Sequence, residues 1–219
     1  MANVFDCAKY FIQSDLTLFK NTFDSSVKLQ KLLVFADMIS FAEYNEPLFI
    51  DQILAFTHGC VIENIRQRYK NDYANFIAES TSFVPQFSDK EHRVLDLTIK
   101  LFGHLSPREL SNINHTFFFW EDAYEKSKQP DGYKDKNKAI VDIDQMRAEA
   151  QRMKKVIAAL ESDRIETDAK ETINGIDFYY SPDVFDMNDD VLDYLYEFSL
   201  NANENAYSIH YDGRELVIY

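Results

Sequence analysis

The sequence predicts a mainly α-helical protein, with a helical domain over residues 1–160 and a small α+β module over residues 161–219. In the first region apolar residues recur every three or four positions, which is the spacing of amphipathic helices. After residue 161 the pattern changes to short alternating runs separated by turn signals, which indicates strands. Only five glycines and five prolines occur in 219 residues, and this argues against a loop-rich or low-complexity chain.

The first half of the helical domain is predicted from its apolar spacing. A helix over residues 4–13 comes first, and Ser25 or Ser26 can cap the next helix, whose leucines recur at helical spacing. The segment NEPLFI (45–50) breaks this second helix, and we expect helical periodicity to resume from Ile50 to Phe76.

The second half of the domain contains a strong capping signal. Ser106 is followed by a proline at the first helical position and by Glu109 three residues later, so the serine and the glutamate can form a capping box. The predicted elements are a loop at 81–87, a helix that begins at Ser88, a helix from Ser106 to Trp120 or Tyr124, a polar connection at 128–138, and a helix from about Val141 to Leu160.

The C-terminal module is predicted to contain a strand, a helix and a hairpin. INGIDFYYS indicates a strand entered through a turn at Asn174-Gly175, and MNDDVLDYLYEFSLNA has the apolar spacing of a helix. AYSIHYDGRELVIY consists of two alternating arms around Asp212-Gly213, a pair that favours a type I′ hairpin turn.

Negative charge is concentrated in this module. The chain carries a net charge of −14, of which −12 falls in residues 161–219 and only −2 in the first 160 residues. Such a chain should be repelled by nucleic acid, including operator DNA, and by anionic membranes, whereas a basic protein surface would attract it. The alternative is that the acidic residues form a solvated face that serves solubility.

Targeting signals are missing from the sequence. The N-terminus lacks the basic start and apolar run of a signal peptide, and no stretch approaches the roughly 20 apolar residues of a membrane span. The two cysteines, Cys7 and Cys60, form neither a zinc motif nor a disulfide framework and suit a reducing compartment. We therefore expect a cytoplasmic protein.

AFTHGCVIENI (55–65) raises the question of a reactive site, since it places His58 and Cys60 on either side of Gly59. A metal would need at least three ligands, and a Cys60–His115 pair would need an orienting group and an oxyanion site. We therefore expect no catalytic residue, no metal and no cofactor, with a buried Cys60 thiol and a hydrogen-bonded His115. For Gly59, one interpretation is a turn with positive φ, and the other is a turn that borders a partner surface.

Four consecutive aromatic residues, Phe117 to Trp120, lie in a predicted helix. At about 100° per residue they cannot all face one side, so one or two point away from the main core. They either pack under another element, such as the helix at 141–160, or form an exposed hot spot. We favour packing.

The acidic segment SPDVFDMNDDVLDYLYEF (181–198) is the predicted partner-contact region, because aromatic anchors beside charge are typical of protein interfaces. The candidate contact residues are Asp183, Phe185, Asp186, Asp193, Tyr194, Tyr196 and Glu197. DMNDD lacks the central glycine and terminal glutamate of an EF-hand loop, so we do not expect calcium.

Three segments together resemble the Panacea domain family of antitoxins: SVKLQKLLVFAD (26–37), EPLFIDQILAFTHGCV (46–61) and LSPRELSNINHTFFFWEDAY (105–124). The residues that carry the resemblance are Lys28, Leu29, Gln30, Lys31, Leu32, Phe56, Gly59, Glu109, His115 and Trp120. The chain departs from the family pattern at three positions. Phe56 stands where most members have tryptophan, Cys60 where proline is usual, and His58 where an aromatic residue is common.

The resemblance implies a phage-associated type of antitoxin, a non-enzymatic protein that neutralises a cognate protein toxin by direct binding. It also implies a mostly helical domain. One branch of the family resembles a proteolytic adaptor that delivers its toxin to a protease, and this is the alternative function. The expected partners are a cognate protein toxin and, in the adaptor alternative, a protease.

Overall fold

The computed structural model describes residues 1–130, 133–162, 169–180, 186–212 and 215–218. The chain divides into two compact units, Met1–Ile157 and Ala158–Tyr219, and each is described by itself. The first unit is helical with one small hairpin, and the second combines strands with a helix, so the predicted mainly α class is confirmed. No helix in the described part of the chain is both long and apolar enough to cross a bilayer.

The first unit is built from helices around one short antiparallel hairpin. Its helices are α1 (Val4–Ser14), α2 (Phe23–Tyr44), α3 (Glu63–Asn71), α4 (Tyr73–Thr81), α5 (Asp89–Phe102), α6 (Pro107–Asn114), α7 (Phe118–Ser127) and α8 (Ile143–Ser162), the last of which extends across the division. Its strands are β1 (Ile53–Phe56) and β2 (Gly59–Ile62), and a 3₁₀ turn covers Lys136–Lys138.

Helix α2 is the centre of the first unit. Every residue from Lys28 to Ala42 is buried, because α2 contacts α1, α5, α6 and β2 around its circumference. The predicted cap of this helix is wrong: Thr22 is the N-cap, and its side chain accepts a hydrogen bond from the Ser25 N–H. Ser25 lies inside the helix, and its hydroxyl donates instead to the Leu18 carbonyl at 2.9 Å.

The predicted helical stretch from Ile50 to Phe76 is wrong over its first part, which forms β1 and β2. These strands are buried on both faces, so they consist of apolar runs without polar alternation, and such runs cannot be distinguished from a buried helix by periodicity. β1 also has backbone bonds on its outer edge, where the Ala55 N–H donates to Ala139 and the Val141 N–H donates to Ile53. The interruption at 45–50 is confirmed, since Asn45 ends α2 with a φ of 57°.

The helix predicted from Ser106 to Trp120 or Tyr124 is two helices. α6 ends at Asn114, and Phe117 is the N-cap of α7. The break follows from a tightened turn, in which the N–H and the hydroxyl of Thr116 both donate to the Ile113 carbonyl. The capping boxes at the starts of α5 and α6 are both present.

The second unit contains the predicted strand, helix and hairpin, and one further strand before them. Its elements are β3 (Ala169–Ile173), β4 (Ile176–Tyr180), α9 (Asp189–Ser199), β5 (Ala206–Asp212) and β6 (Glu215–Ile218). The strand order is β3-β4-β5-β6, and β4 and β5 are parallel because α9 crosses between them. Phe178 and Leu195 are fully buried at the core, together with Val191 and Ile209.

The predicted turn at Asn174-Gly175 joins β3 to β4. Both residues have positive φ, 51° and 79°, which is the backbone requirement of a type I′ turn. In the hairpin of β5 and β6, Gly213 and Arg214 lie outside the described residues, so only the pairing of its arms is described.

Candidate functional site

The hairpin of β1 and β2 turns at Thr57-His58, and Gly59 follows with a φ of 91°. A Cβ atom at Gly59 would lie 2.2 Å from Asn114 Oδ1 and 2.8 Å from Lys31 Nζ. The position therefore requires glycine both for its backbone conformation and for the close approach of two side chains. The expected turn with positive φ is present, and it joins the two strands β1 and β2.

Three buried polar side chains bind the backbone of β2. Lys31 Nζ donates to the Cys60 carbonyl at 2.7 Å, and Asn114 Oδ1 accepts from the Cys60 N–H at 2.5 Å. Two residues further along β2, Gln30 Oε1 accepts from the Ile62 N–H at 2.7 Å. Because buried peptide groups must be paired, these side chains replace the neighbouring strand that a larger sheet would supply.

The tip of the hairpin is bound by α6 and α7. Trp120 Nε1 donates to the Phe56 carbonyl at 2.9 Å, and the Ser111 hydroxyl donates to the His58 carbonyl at 3.1 Å. The His115 ring packs on the Trp120 indole with centroids 4.1 Å apart. The hairpin is thus bound by side chains from α2, α6 and α7.

The structure brings most of the family-motif residues together around this hairpin. Lys28 instead caps the end of α5, since its Nζ donates to the Gly103 and Leu105 carbonyls at 2.7 and 2.9 Å. The remaining motif residues have helical roles: Leu29 and Leu32 are buried in α2, and Glu109 completes the α6 capping box. The motif therefore describes how a hairpin is fixed to a helical core.

Two residues of this hydrogen-bond set, Ser111 and Asn114, were not identified as site residues from the sequence. Both lie within LSPRELSNINHTFFFWEDAY (105–124), three positions apart, and so share a helix face. Small polar residues on one face of a short helix are the only signal that could have indicated them.

Lys31 is the most deeply buried charged group of the hairpin site. Its side chain is 1% exposed, and no carboxylate lies within ion-pair distance of it among the described residues. Burial lowers its pKa to about 8, because desolvation disfavours the ammonium form. The hydrogen bond from Lys31 Nζ to the Cys60 carbonyl compensates part of the cost of burying this group.

The thiol of Cys60 has the opposite character from a nucleophile. It is fully buried, and burial raises its pKa to about 12, so the thiolate is a negligible species at neutral pH. His115 has a lowered pKa, first through burial and then through the nearby positive charge of Lys31. In the described ranges, no three His, Cys, Asp or Glu side chains lie close enough together to hold a metal ion.

The aromatic residues at 117–120 divide as the helical spacing predicts. Phe117 and Phe119 are buried and stack with centroids 5.2 Å apart, whereas Phe118 is 56% exposed. The member that points away from the core is thus Phe118, and the favoured packing under another element is wrong for it, because its ring is exposed. The Phe119 N–H donates to Glu149 on α8 at 2.9 Å.

The acidic segment predicted to contact a partner is partly described. Asp183 and Phe185 lie outside the described residues, and Asp186 is exposed just before α9. Val191 and Leu195 face the core, so the opposite face of α9 meets solvent. That face carries the other four candidates, Asp193, Tyr194, Tyr196 and Glu197, with the two tyrosines about half exposed on either side of the two carboxylates.

A family model matches part of the first unit. Residues 29–121 match the family model described as Antitoxin SocA-like, Panacea domain. The match spans α2 beyond its first turn, the hairpin and the helices up to the beginning of α7, and so includes Gln30, Lys31 and Asn114, whose side chains bind the backbone of β2. Neither a curated protein nor a solved structure matches the chain.

Proposed function

We propose, from the similarity of residues 29–121 to the antitoxin SocA-like Panacea domain, that this protein is an antitoxin that neutralises a cognate protein toxin by direct binding. The family match is the observation that carries the proposal. Its expected place is the cytoplasm, beside a toxin made in the same cell.

The held hairpin supports binding by a preformed surface. Side chains from three helices fix both the strand backbone and the turn, so little ordering of this region is needed when a partner binds. Steric occlusion or distortion of the toxin's site is the mechanism that such a rigid surface favours.

A non-enzymatic role is part of the proposal. The buried Cys60 thiol, with its raised pKa, is unsuited to nucleophilic chemistry. The Lys31 ammonium is bonded to a backbone carbonyl and not to a group it could activate. Both groups are better explained by the fixing of β2.

The acidic second unit gives the proposal an electrostatic component. The outer face of α9 presents Asp193 and Glu197 between exposed tyrosines, and such a face would accelerate encounter with a basic toxin surface. If the toxin acts on nucleotides or RNA, its phosphate-binding face would be basic, and this unit would compete with the substrate for it.

Co-expression tests the proposal directly. Each gene adjacent to the one that encodes this chain is expressed alone and together with the full chain. We expect one neighbour to arrest growth, the full chain to restore growth, and the two proteins to co-purify. Absence of a toxic neighbour, or rescue without any complex, would contradict direct neutralisation.

The same strains separate occlusion from proteolytic delivery. The lifetime of the toxin is followed after protein synthesis is blocked, with and without the full chain. An unchanged or longer lifetime together with rescue supports occlusion. A lifetime that shortens when the chain is present would assign the protein to the adaptor alternative.

A further inference from the structure

A cavity of about 380 Å³ lies beside the hairpin, between the start of α2, strand β2 and helix α3. Its size falls within the range of sites that accept a small molecule or a few side chains. All of its lining belongs to the first unit. We refer to it as the α2–α3 cavity.

The walls of the α2–α3 cavity are largely apolar. Val61 and Tyr69 form its buried part, and Phe23 stands at its edge with 63% of its surface exposed. The Phe23 ring meets the His58 ring edge-on at 5.2 Å, which holds two ring systems at the entrance. Apolar pockets of this kind are where the anchor side chains of a protein partner insert.

A buried hydrogen-bond donor without a partner lies in the same cavity. Gln30 lines it and is 98% buried, since only 2% of its surface is exposed. Its Oε1 is committed to the Ile62 N–H, which turns Nε2 away from β2, and Nε2 has no hydrogen-bond partner among the described residues. Because an unpaired buried donor is destabilising, the amide is suited to receive an oxygen acceptor from a ligand.

The charges that line the cavity are all positive. They are Lys31 at the base and Arg66 and Lys70 on α3, and no carboxylate belongs to the lining. Arg66 is partly neutralised by Glu63 at 2.7 Å, whereas Lys70 is exposed and has no ion-pair partner in the described part of the chain. In a protein with a net charge of −14, this local excess of positive charge selects an anionic ligand.

We propose that the α2–α3 cavity is a docking pocket for an acidic peptide segment of a partner protein. An aliphatic or aromatic side chain fills the apolar part, a peptide oxygen accepts from Gln30 Nε2, and a neighbouring Asp or Glu of the segment lies against Lys70. A peptide fits the observations better than a free anion, because the cavity is mostly apolar and its cations stand at the rim and base. The assignment of that segment to the toxin rests on the proposed function, but the pocket itself does not.

Short peptides test the pocket on the intact protein. The probes are acetyl-Leu-Phe-Asp-Glu-amide, its uncharged counterpart with Asn and Gln, and a basic counterpart with two lysines. Binding is measured at low salt by calorimetry and by chemical-shift changes in ¹H–¹⁵N correlation spectra of the ¹⁵N-labelled protein. We expect the acidic peptide to bind with a dissociation constant of ~0.1–1 mM and to shift the Gln30 side-chain amide, with weaker binding of the other two.

Three substitutions connect this binding to the cavity. Ser26→Trp fills it and should abolish binding, whereas Gln30→Glu keeps the acceptor for the Ile62 N–H but replaces the free donor and should weaken binding roughly tenfold. Lys70→Glu lies at the surface, should not disturb folding, and should weaken the acidic peptide roughly fivefold. Lys154→Glu makes the same charge change at an exposed position of α8 and should leave binding unchanged.

Several results would contradict the docking-pocket proposal. Equal binding of the three peptides would remove the charge argument, and binding that survives both Ser26→Trp and Gln30→Glu would place the peptide elsewhere. AMP binding in the cavity without peptide binding would assign the site to a small anion. A concentration-dependent dimer that Ser26→Trp converts to a monomer would make a second copy of this chain the occupant.

The failure of the pocket and the failure of the antitoxin proposal are distinguishable. Toxin neutralisation that is unchanged in both Ser26→Trp and Lys70→Glu leaves the proposed function standing and removes the toxin from this pocket. Specific peptide binding without any toxic neighbouring gene would support the docking pocket and contradict the antitoxin role.

Discussion

The two units use their polar side chains in opposite ways. In the first unit, Gln30, Lys31 and Asn114 are buried and bonded to the backbone of one strand. In the second, Asp193 and Glu197 of α9 project into solvent, on the side opposite the buried Val191 and Leu195. The first arrangement produces a specific shape, and the second produces an electric field that depends little on shape.

The same contrast is visible in their turns. Both hairpins contain a glycine with positive φ: Gly59, directly after the Thr57-His58 turn, has a φ of 91°, and Gly175, within the Asn174-Gly175 turn, has a φ of 79°. At Gly59 side chains from α2 and α6 occupy the space that a Cβ would need, whereas at Gly175 nothing lies within 4 Å of that position. Two glycines that look alike in the sequence therefore carry different constraints.

The largest expected effect comes from exchanging these glycines for alanine. Gly175→Ala introduces only the backbone penalty of a left-handed conformation, about 1–2 kcal/mol. Gly59→Ala adds a clash with Asn114 and Lys31, so we expect a loss of more than ~3 kcal/mol, or displacement of the hairpin. Urea unfolding of both variants measures the difference, and equal losses would show that the close approach at Gly59 relaxes easily.

The second-largest effect is expected at Asn114, whose side chain binds the outer edge of β2 where a larger sheet would have another strand. Asn114→Ala leaves the Cys60 N–H buried without its acceptor, and we expect a loss of about 1–3 kcal/mol in the free energy of unfolding. Hydrogen exchange at the Cys60 amide should accelerate in this variant.

Asn112→Ala on the same helix is the matched control, because that residue is exposed. Protection of the Cys60 amide that is equal in Asn114→Ala and in the parent would contradict the role given to Asn114.

A pH dependence should distinguish the buried charges of the first unit from the exposed ones of the second. Asp37 is buried in α2 and accepts from the Leu48 N–H at 2.7 Å, and burial raises its pKa to about 7. Below its ordinary value of 3.8 the carboxyl is protonated in both states, and between 3.8 and about 7 only the folded state holds the proton. The stability that Asp37 contributes is therefore present at low pH and is lost as pH rises to about 7.

Asp37→Asn tests this sign. It retains an oxygen acceptor for Leu48 and has no proton to lose, so its stability relative to the parent should rise between pH 4.5 and pH 7.5 by on the order of 1 kcal/mol or more. Urea midpoints at the two pH values provide the measurement. A constant difference between variant and parent would mean that Asp37 titrates normally.

Much of the fold could be predicted from local signals, and the errors have a common cause. Ser88 and Ser106 carry complete capping boxes, so their helices begin where the sequence indicates. The hairpin at 53–62 was predicted as helix because long-range bonds to Gln30 and Lys31 stabilise it, and no local pattern reveals such bonds. Local chemistry predicts where helices begin, but it does not show which strand a distant side chain will bind.

In the candidate site, too, local signals could be predicted from the sequence and long-range contacts could not. The family-motif residues could be selected from the sequence, but the pattern does not show that Lys31 and Trp120 bind the two arms of one turn. The α2–α3 cavity could not be predicted either, since it depends on the placement of α3 behind β2. The acidic face of α9 was predictable, because a short amphipathic helix determines by itself which residues meet solvent.

The smallest expected effect on stability, and the sharpest test of the contrast, lies on α9. Asp193→Asn removes an exposed charge and should change the free energy of unfolding by less than about 0.5 kcal/mol. If the second unit steers a basic toxin, the same change should slow association severalfold at low salt and much less at high salt, because screening removes the field. Glu204→Gln, an exposed residue of the same unit but outside α9, should reduce the rate less. Equal rates for Asp193→Asn and the parent at low salt would mean that this face serves solubility rather than recognition, and the contact surface would then be confined to the first unit.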